Sequence, residues 1–245
     1  MTAENLYRKI YRKLRENNDP ERLKQDNKFH KDKLTRAFSI KAKRQYKIFN
    51  SFKNEIKSLS CREVWQLADH LYSCPEMEKT KLAGNFVLQT RPDCLGVNTL
   101  PFLDRELENF YSWSAVDDMV SKVLQPLLFE FPQETLKYLQ KWNTSDNKWK
   151  RRVSVVAFTR KAGESGRFTQ EALDLCSNLI WDREDLVQKG VGWCLKDVMR
   201  GDKEQAIEYV KELRWAGVSS VITLYAIRDL KGADRREVLA IRPEK

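Results

Sequence analysis

The sequence predicts an all-α fold built from stacked helix pairs, and three observations carry that prediction. Segment after segment repeats its apolar residues with a period near 3.6, and no stretch alternates as a half-buried strand does. Only 9 Gly and 7 Pro punctuate 245 residues, too few for the frequent sharp turns of a β-sandwich or barrel. A weak internal register also recurs at an offset of about 37 residues, close to the length of a HEAT-like helix pair. It lays Arg152 on Lys189 and, one period back, Val153 on Val116 and Ala157 on Val120. Such stacks curve, and their inner helices line a concave groove. An ordinary helical bundle is the simpler alternative.

Taken in order, helices are predicted over 4–16, 20–34, 41–57, 61–72, 76–89, 99–109, 113–127, 132–141, 146–161, 168–180, 184–200, 203–213 and 217–229. The breaks between them have physical causes. Tyr7, Ile10, Tyr11 and Leu14 form an apolar stripe, so the first helix packs rather than trailing as an arm. Asp19-Pro20 starts the second, with Pro at the first helical position. Ser60 and Glu63 have the spacing of a capping box. Phe131-Pro132 separates two apolar runs, because the residue before Pro avoids helix. The polar turn Thr144-Ser145-Asp146-Asn147 can cap the helix after it, and Gly163 to Gly166 makes another turn. The chain reads as one domain over 1–245, with basic helices in 1–57 packed on the repeat stack.

Composition excludes several classes. With 41% hydrophobic and 33% charged residues, the chain can bury a core without staples. No run of about 18 uncharged apolar residues occurs, so no membrane span is expected. The N-terminus lacks the apolar centre of a signal peptide. The five cysteines, Cys61, Cys74, Cys94, Cys176 and Cys194, include no CxxC pair. They suggest a reduced, cytoplasmic protein. Two histidines and no HExxH motif argue against a zinc site or a His-based triad, and no metal or organic cofactor is expected. The formal charge is +10, and residues 1–57 carry the whole excess, since the remainder balances. A local positive field attracts polyanions, nucleic acid above all. A solvated helix face is the bland alternative.

Three constellations stand out. Trp113 opens a helix and Asp117 follows one turn later on the same face. An acid beside an aromatic in a groove can stabilise developing positive charge. A surface acid, or one paired with Arg151 or Arg152, fits the spacing equally well. Trp193 ends the run Gln188-Lys189-Gly190-Val191-Gly192, whose glycines open access or allow close helix packing. Lys148, Lys150, Arg151 and Arg152 surround Trp149, a mixture suited to phosphate contact with stacking, or to a solvated face. Trp65, Trp142, Trp181 and Trp215 fit ordinary helix interfaces.

Together, Trp113-x3-Asp117, Trp149-x2-Arg152, the run from Gln188 to Trp193 and Ser145-Asp146-Asn147-Lys148-Trp149 resemble the AlkD family of alkylation-repair DNA glycosylases. The resemblance spans roughly Asn17 to Ile227. It implies a C-shaped stack of HEAT-like helix pairs that binds double-stranded DNA along a basic concave surface. It implies excision of cationic N3- and N7-alkylated purines by a monomer. By position, Asp117 takes the role of catalytic acid, stabilising an oxocarbenium-like sugar and orienting water. Trp113 and Trp193 take the roles of the aromatic pair around the lesion nucleotide. Arg152 takes that of a phosphate contact, with Arg151, Lys148, Lys150 and Lys189 as further DNA-binding cations. For the family's additional N-terminal aromatic the chain offers Phe29 or His30. Its basic pair near the C-terminal helix is replaced by Val218-Ser219-Ser220.

Three functions therefore compete: an alkylpurine DNA glycosylase, a non-catalytic DNA-binding protein of the same fold, and a helical scaffold for proteins. The resemblance places the glycosylase first.

Overall fold

The computed structural model describes residues 2–29, 38–74 and 78–243, apart from the side chains of 26, 27 and 29. Helices are the only regular structure among the described residues. The chain divides into two compact units, Met1–Leu127 and Leu128–Lys245.

In the first unit, α1 (Ala3–Glu16) is capped by Thr2, whose hydroxyl accepts from the Asn5 N–H at 3.3 Å. Its apolar stripe is buried as Leu6, Ile10 and Leu14, and α1 packs on α3 (Ala42–Ser51) and on α5 (Cys61–Ser73). α2 spans Pro20–Phe29; residues 30–34 of the expected helix lie outside the described residues. The helix expected over 41–57 breaks at Phe52 into α3 and α4 (Lys53–Lys57). At the start of α5 the capping box forms. Ser60 Oγ accepts from the Glu63 N–H at 3.4 Å, and the Glu63 carboxylate accepts from the Ser60 N–H at 2.9 Å.

α6 (Glu78–Thr90) is buried along most of its length against α5. After a short 3-10 turn at Pro92–Cys94 come α7 (Thr99–Glu106) and α8 (Trp113–Met119). α5 packs beside α7 and α6 beside α8, so these four helices form two layers. A π turn at Val120–Leu124 joins α8 to α9 (Gln125–Glu130), where the sequence predicts an unbroken helix to 127. π turns of this kind concentrate at functional sites.

Cys61 and Cys94 form a disulfide across 33 residues, so the cysteines are not all reduced. No local motif announces it, because the packing of α5 on α6 brings the two positions together. Cys74, Cys176 and Cys194 are free and buried. Burial, with Cys176 beside it, pushes the Cys194 thiol well above its usual range, as befits a core residue.

The second unit contains α10 (Pro132–Asn143), α11 (Lys148–Val156), α12 (Lys161–Glu164), α13 (Thr169–Ser177), α14 (Asp185–Gly201), α15 (Lys203–Trp215), α16 (Ser220–Ala226) and α17 (Gly232–Ala240). α11, α14 and α16 pack side by side, backed by α10, α13 and α15. Asn143 stitches the layers. Its amide donates to Ser154 Oγ at 2.8 Å and to the Leu175 carbonyl at 3.0 Å. Pro132 opens α10, and Asn147 caps α11 through the Trp149 N–H at 2.8 Å, both as the sequence predicts.

The helix expected over 146–161 instead ends at Val156, and a turn carries Arg160 at φ +52°. α17 has no counterpart among the expected helices, for it buries only Val238 and so lacks an apolar period. Trp142 is core, but Trp181 and Trp215 are 64% and 57% exposed, which corrects their assignment to helix interfaces.

Candidate nucleic-acid and catalytic residues

The residues singled out in the sequence fall into both units. In the first, Trp113 opens α8 and Asp117 follows one turn later. Asp117 is 8% exposed, which makes it a buried carboxylate rather than a surface acid. Trp113 is half-buried. The entry to α8 is fixed by Ser112, whose hydroxyl donates to Glu78 Oε1 at 2.8 Å.

The rotation of α8 is set by Asn85 on α6. Its amide donates to the Ala115 carbonyl at 3.1 Å and to Asp118 Oδ2 at 2.9 Å, and its own oxygen accepts from Tyr72 Oη at 2.6 Å. Burial, with Asp118 and Glu106 nearby, drives the Tyr72 phenol well above its usual pKa, so it stays a donor. Asp118 also pairs with Lys122 at 2.7 Å. Of two adjacent acids, Asp118 is thus held in the scaffold. Asp117 lies about 100° further round the helix.

Close to this segment, Lys81 is buried and donates to the carbonyls of Tyr72 and Cys74, the latter at 2.7 Å. These bonds satisfy acceptors that the end of α5 leaves open. Burial lowers the Lys81 pKa to about 8, against the opposing pull of Cys74 and Glu106. Its ammonium lies 5.9 Å from the centre of the Tyr111 ring.

In the second unit, α11 and α14 lie against each other and carry the predicted cations. Trp149 is buried, so it serves the core rather than a stacking surface. Arg151 is engaged internally. Its guanidinium donates to Asp182 at 2.6 Å and to the carbonyls of Ser145 and Asp146 at 2.8 and 2.9 Å. It therefore staples the turn before α11 to the turn before α14. Arg152 is 5% exposed and donates to the Leu186 carbonyl. Lys150 is also buried. Lys148 pairs with Glu184 at 3.8 Å and lies 5.2 Å from the Trp149 ring centre; Lys189 pairs with Asp185 at 2.8 Å.

Both glycines of α14 have packing reasons. A Cβ on Gly190 would come within 3.4 Å of the Arg152 guanidinium and 3.3 Å of a Val156 methyl. One on Gly192 would stand 2.8 Å from Tyr225 Cβ and 3.0 Å from the Ile222 carbonyl oxygen of α16. Between them, Gly190 makes room for Arg152 and Gly192 admits α16.

Trp193 is half-buried, and the structure adds a residue beside it that sequence reasoning missed. The Arg160 guanidinium lies 5.2 Å from the indole centre. Arg160 occupies a backbone region that L-residues rarely adopt, and its N–H donates at 2.7 Å to Asp197 Oδ2. Asp197 is 1% exposed and is paired with Lys196 at 2.6 Å. Lys196 and Arg200 both reach Asp229, at 3.5 and 2.5 Å. The Arg200 contact, followed by burial acting the other way and by Lys196, holds the Asp229 carboxyl below its usual range. Nothing in the local sequence marks Arg160, because its position depends on a turn that interrupts a helical pattern.

The structure therefore keeps Trp113 with Asp117 on one helix of the first unit, and the cations of α11 with Lys189 and Trp193 on two packed helices of the second. The side chain of Phe29, and His30 entirely, lie outside the described residues. Among the described residues, no helix is long and apolar enough to cross a membrane. The sole grouping of possible metal donors found among them is Cys61, Asp93 and Cys94, two of which are already joined as the disulfide.

A family model described as DNA alkylation repair enzyme matches residues 10–230. The chain is also similar to a solved structure described as a predicted DNA alkylation repair enzyme from Enterococcus faecalis. That match has a TM-score of 0.71 at 14% identity and covers 88% of this chain and 98% of the other. At that identity the likeness concerns the all-helical fold. No curated protein matches the sequence significantly.

Proposed function

Because the chain belongs to the DNA alkylation repair enzyme family, we propose that it is a monofunctional DNA glycosylase that releases cationic N3- and N7-alkylated purines from double-stranded DNA. The observation that carries this reading is the state of Asp117, a buried carboxylate one turn after a half-buried tryptophan.

In this reading the bond between the sugar C1′ and the purine N9 breaks first. The purine leaves as a neutral base, because it carries its positive charge beforehand. Positive charge then grows on the deoxyribose, and the Asp117 carboxylate stabilises it and orients the water that attacks C1′. The leaving base needs no proton, which suits a chain with two histidines. Trp113, half-buried one turn before Asp117, offers its ring to the cationic base or sugar, and the half-buried Trp193 supplies an aromatic contact to DNA from the second unit. Lys148 and Lys189 answer the phosphates, and the buried Arg152 and Lys150 add to the positive field around them. The protein acts as a monomer in the cytoplasm.

The test is base release from a duplex carrying 7-methylguanine, without added metal. Asp117→Asn should slow release by about 100-fold or more while duplex binding stays within about twofold of wild type. Full activity in that variant would remove Asp117 from the chemistry. Salt-sensitive duplex binding by the wild type with no release, repeated on bulkier adducts, would leave a DNA-binding protein of the same fold.

A further inference from the structure

We propose that Cys61 and Cys94 form a reversible thiol–disulfide couple in which Cys61 is the nucleophilic sulfur and a site of S-thiolation by low-molecular-weight disulfides of the glutathione class. The two sulfurs differ in their surroundings. Cys61 is the first residue of the thirteen-residue α5, at the helix end where backbone N–H groups favour negative charge. The Arg91 guanidinium lies 3.7 Å from its sulfur. Cys94 lies against a carboxylate, with Asp93 Oδ2 3.8 Å from its sulfur; the same carboxylate comes within 4.8 Å of the Cys61 sulfur, where Arg91 pairs with it. A cation and a helix N-terminus favour a thiolate at Cys61, and an anion disfavours one at Cys94. Glu63 sits near the same helix end, but its carboxylate is engaged with Ser60.

Both sulfurs belong to half-buried residues, so a small reagent can reach them. The free cysteines Cys74, Cys176 and Cys194 are buried and compete poorly. The bond is also not what holds its surroundings together. α5 and α6 pack along their lengths, burying Val64, Leu67, Leu71, Val87 and Leu88. Arg91 ties the turn that carries Cys94 to the Leu59 carbonyl just before α5, and grips Asp93 at 2.9 and 2.7 Å. The reduced pair is therefore kept close, and the bond re-forms without a search through chain conformations.

Electrons balance in two exchanges. The Cys61 thiolate attacks one sulfur of oxidised glutathione, forms a mixed disulfide and releases one glutathione thiolate. The Cys94 thiol loses its proton to solvent and attacks the Cys61 sulfur, which releases the second. Two protein thiols are oxidised and one glutathione disulfide is reduced to two thiols. Reduction runs the same steps backward, with the incoming glutathione thiolate attacking at Cys61.

The folded, reduced chain is equilibrated in glutathione buffers of graded ratio, quenched in acid, alkylated and mapped by peptide mass spectrometry. The Cys94→Ser chain should accumulate one glutathione on Cys61. Its reaction with a chromogenic aromatic disulfide at neutral pH should run about tenfold faster than that of Cys94 in the Cys61→Ser chain. The double variant supplies the background of the buried thiols. Arg91→Gln should slow Cys61 several-fold, and high salt should slow it in the Arg91 chain. Equal rates for the two cysteines, a faster Cys94, a pair that stays reduced in oxidising buffer, or loss of helical circular dichroism on reduction would each overturn the proposal.

Discussion

α8 in the first unit and the α11–α14 pair in the second are both rich in charge, yet they use it in opposite ways. On α8 two adjacent acids are divided between tasks. Asp118 binds Asn85 and Lys122, while Asp117 is buried one position earlier. On α11 four cations in five positions look interchangeable in the sequence. The structure ranks them instead: Arg151 is a staple, Arg152 and Lys150 are buried, and Lys148 pairs at the surface. A charge run therefore says little about which charges face a partner. Burial and carbonyl acceptors decide that, and neither is visible in residue order.

The largest effect expected from this contrast is at Arg151. Replacing it by Ala leaves the Asp182 carboxylate, itself only 6% exposed, without its ion partner. It also frees the Ser145 and Asp146 carbonyls. Removal of one partner from a mostly buried pair costs about 3 kcal/mol. Chemical denaturation should show that loss, with the slope of log affinity for duplex DNA against log salt unchanged. Lys148→Ala should do the reverse, leaving stability within about 0.5 kcal/mol and lowering the salt slope by about one. If Arg151→Ala flattens the salt slope and leaves stability alone, the division between staple and surface cation fails.

The next effect separates two glycines that look equivalent in the sequence. Gly192→Ala should destabilise by about 2 kcal/mol, because the new methyl meets Tyr225 Cβ and the Ile222 backbone. At Gly190 the nearest atoms are side-chain methyls and a guanidinium at 3.3–3.4 Å, which can give way. There the gain in helix propensity of about 1 kcal/mol offsets much of the crowding. Thermal unfolding of the two variants should therefore differ clearly. Equal losses would mean that α16 yields as easily as the side chains of α11.

Most of the helices were legible, because an amphipathic period survives into the structure wherever a helix covers a core. α1 shows this with Leu6, Ile10 and Leu14. The caps at Ser60 and Asn147 and the break at Phe131-Pro132 were legible too, since each is a local bargain between neighbouring residues. What escaped depends on contacts between distant segments. The Cys61–Cys94 bond needs α5 against α6. The backbone of Arg160 is held by Asp197, on a helix further along the chain. Of the candidate residues, the pairing of Trp113 with Asp117 was readable from helical spacing, but the difference between Asp117 and Asp118 came only with Asn85.

The smallest effect lies in the pH dependence that Lys81 imposes on the first unit. Its folded pKa, near 8, is below that of an unfolded lysine, 10.5. Between those values the unfolded chain binds more protons, so stability rises with pH there. Below pH 8 both states hold the proton, and the cost of burying the ammonium is present in full. Across pH 8 to 9 the relief amounts to about 1 kcal/mol. Lys81→Met removes the titration together with the bonds to the Tyr72 and Cys74 carbonyls. Its unfolding free energy should therefore lie below wild type at pH 9 by about 1 kcal/mol more than at pH 8. Urea unfolding at the two values reads the difference directly. A gap that does not widen would mean that the ammonium is as well solvated in the fold as in the open chain. In that case the two carbonyls at the end of α5, rather than the proton, would be the whole of what Lys81 contributes beside α8.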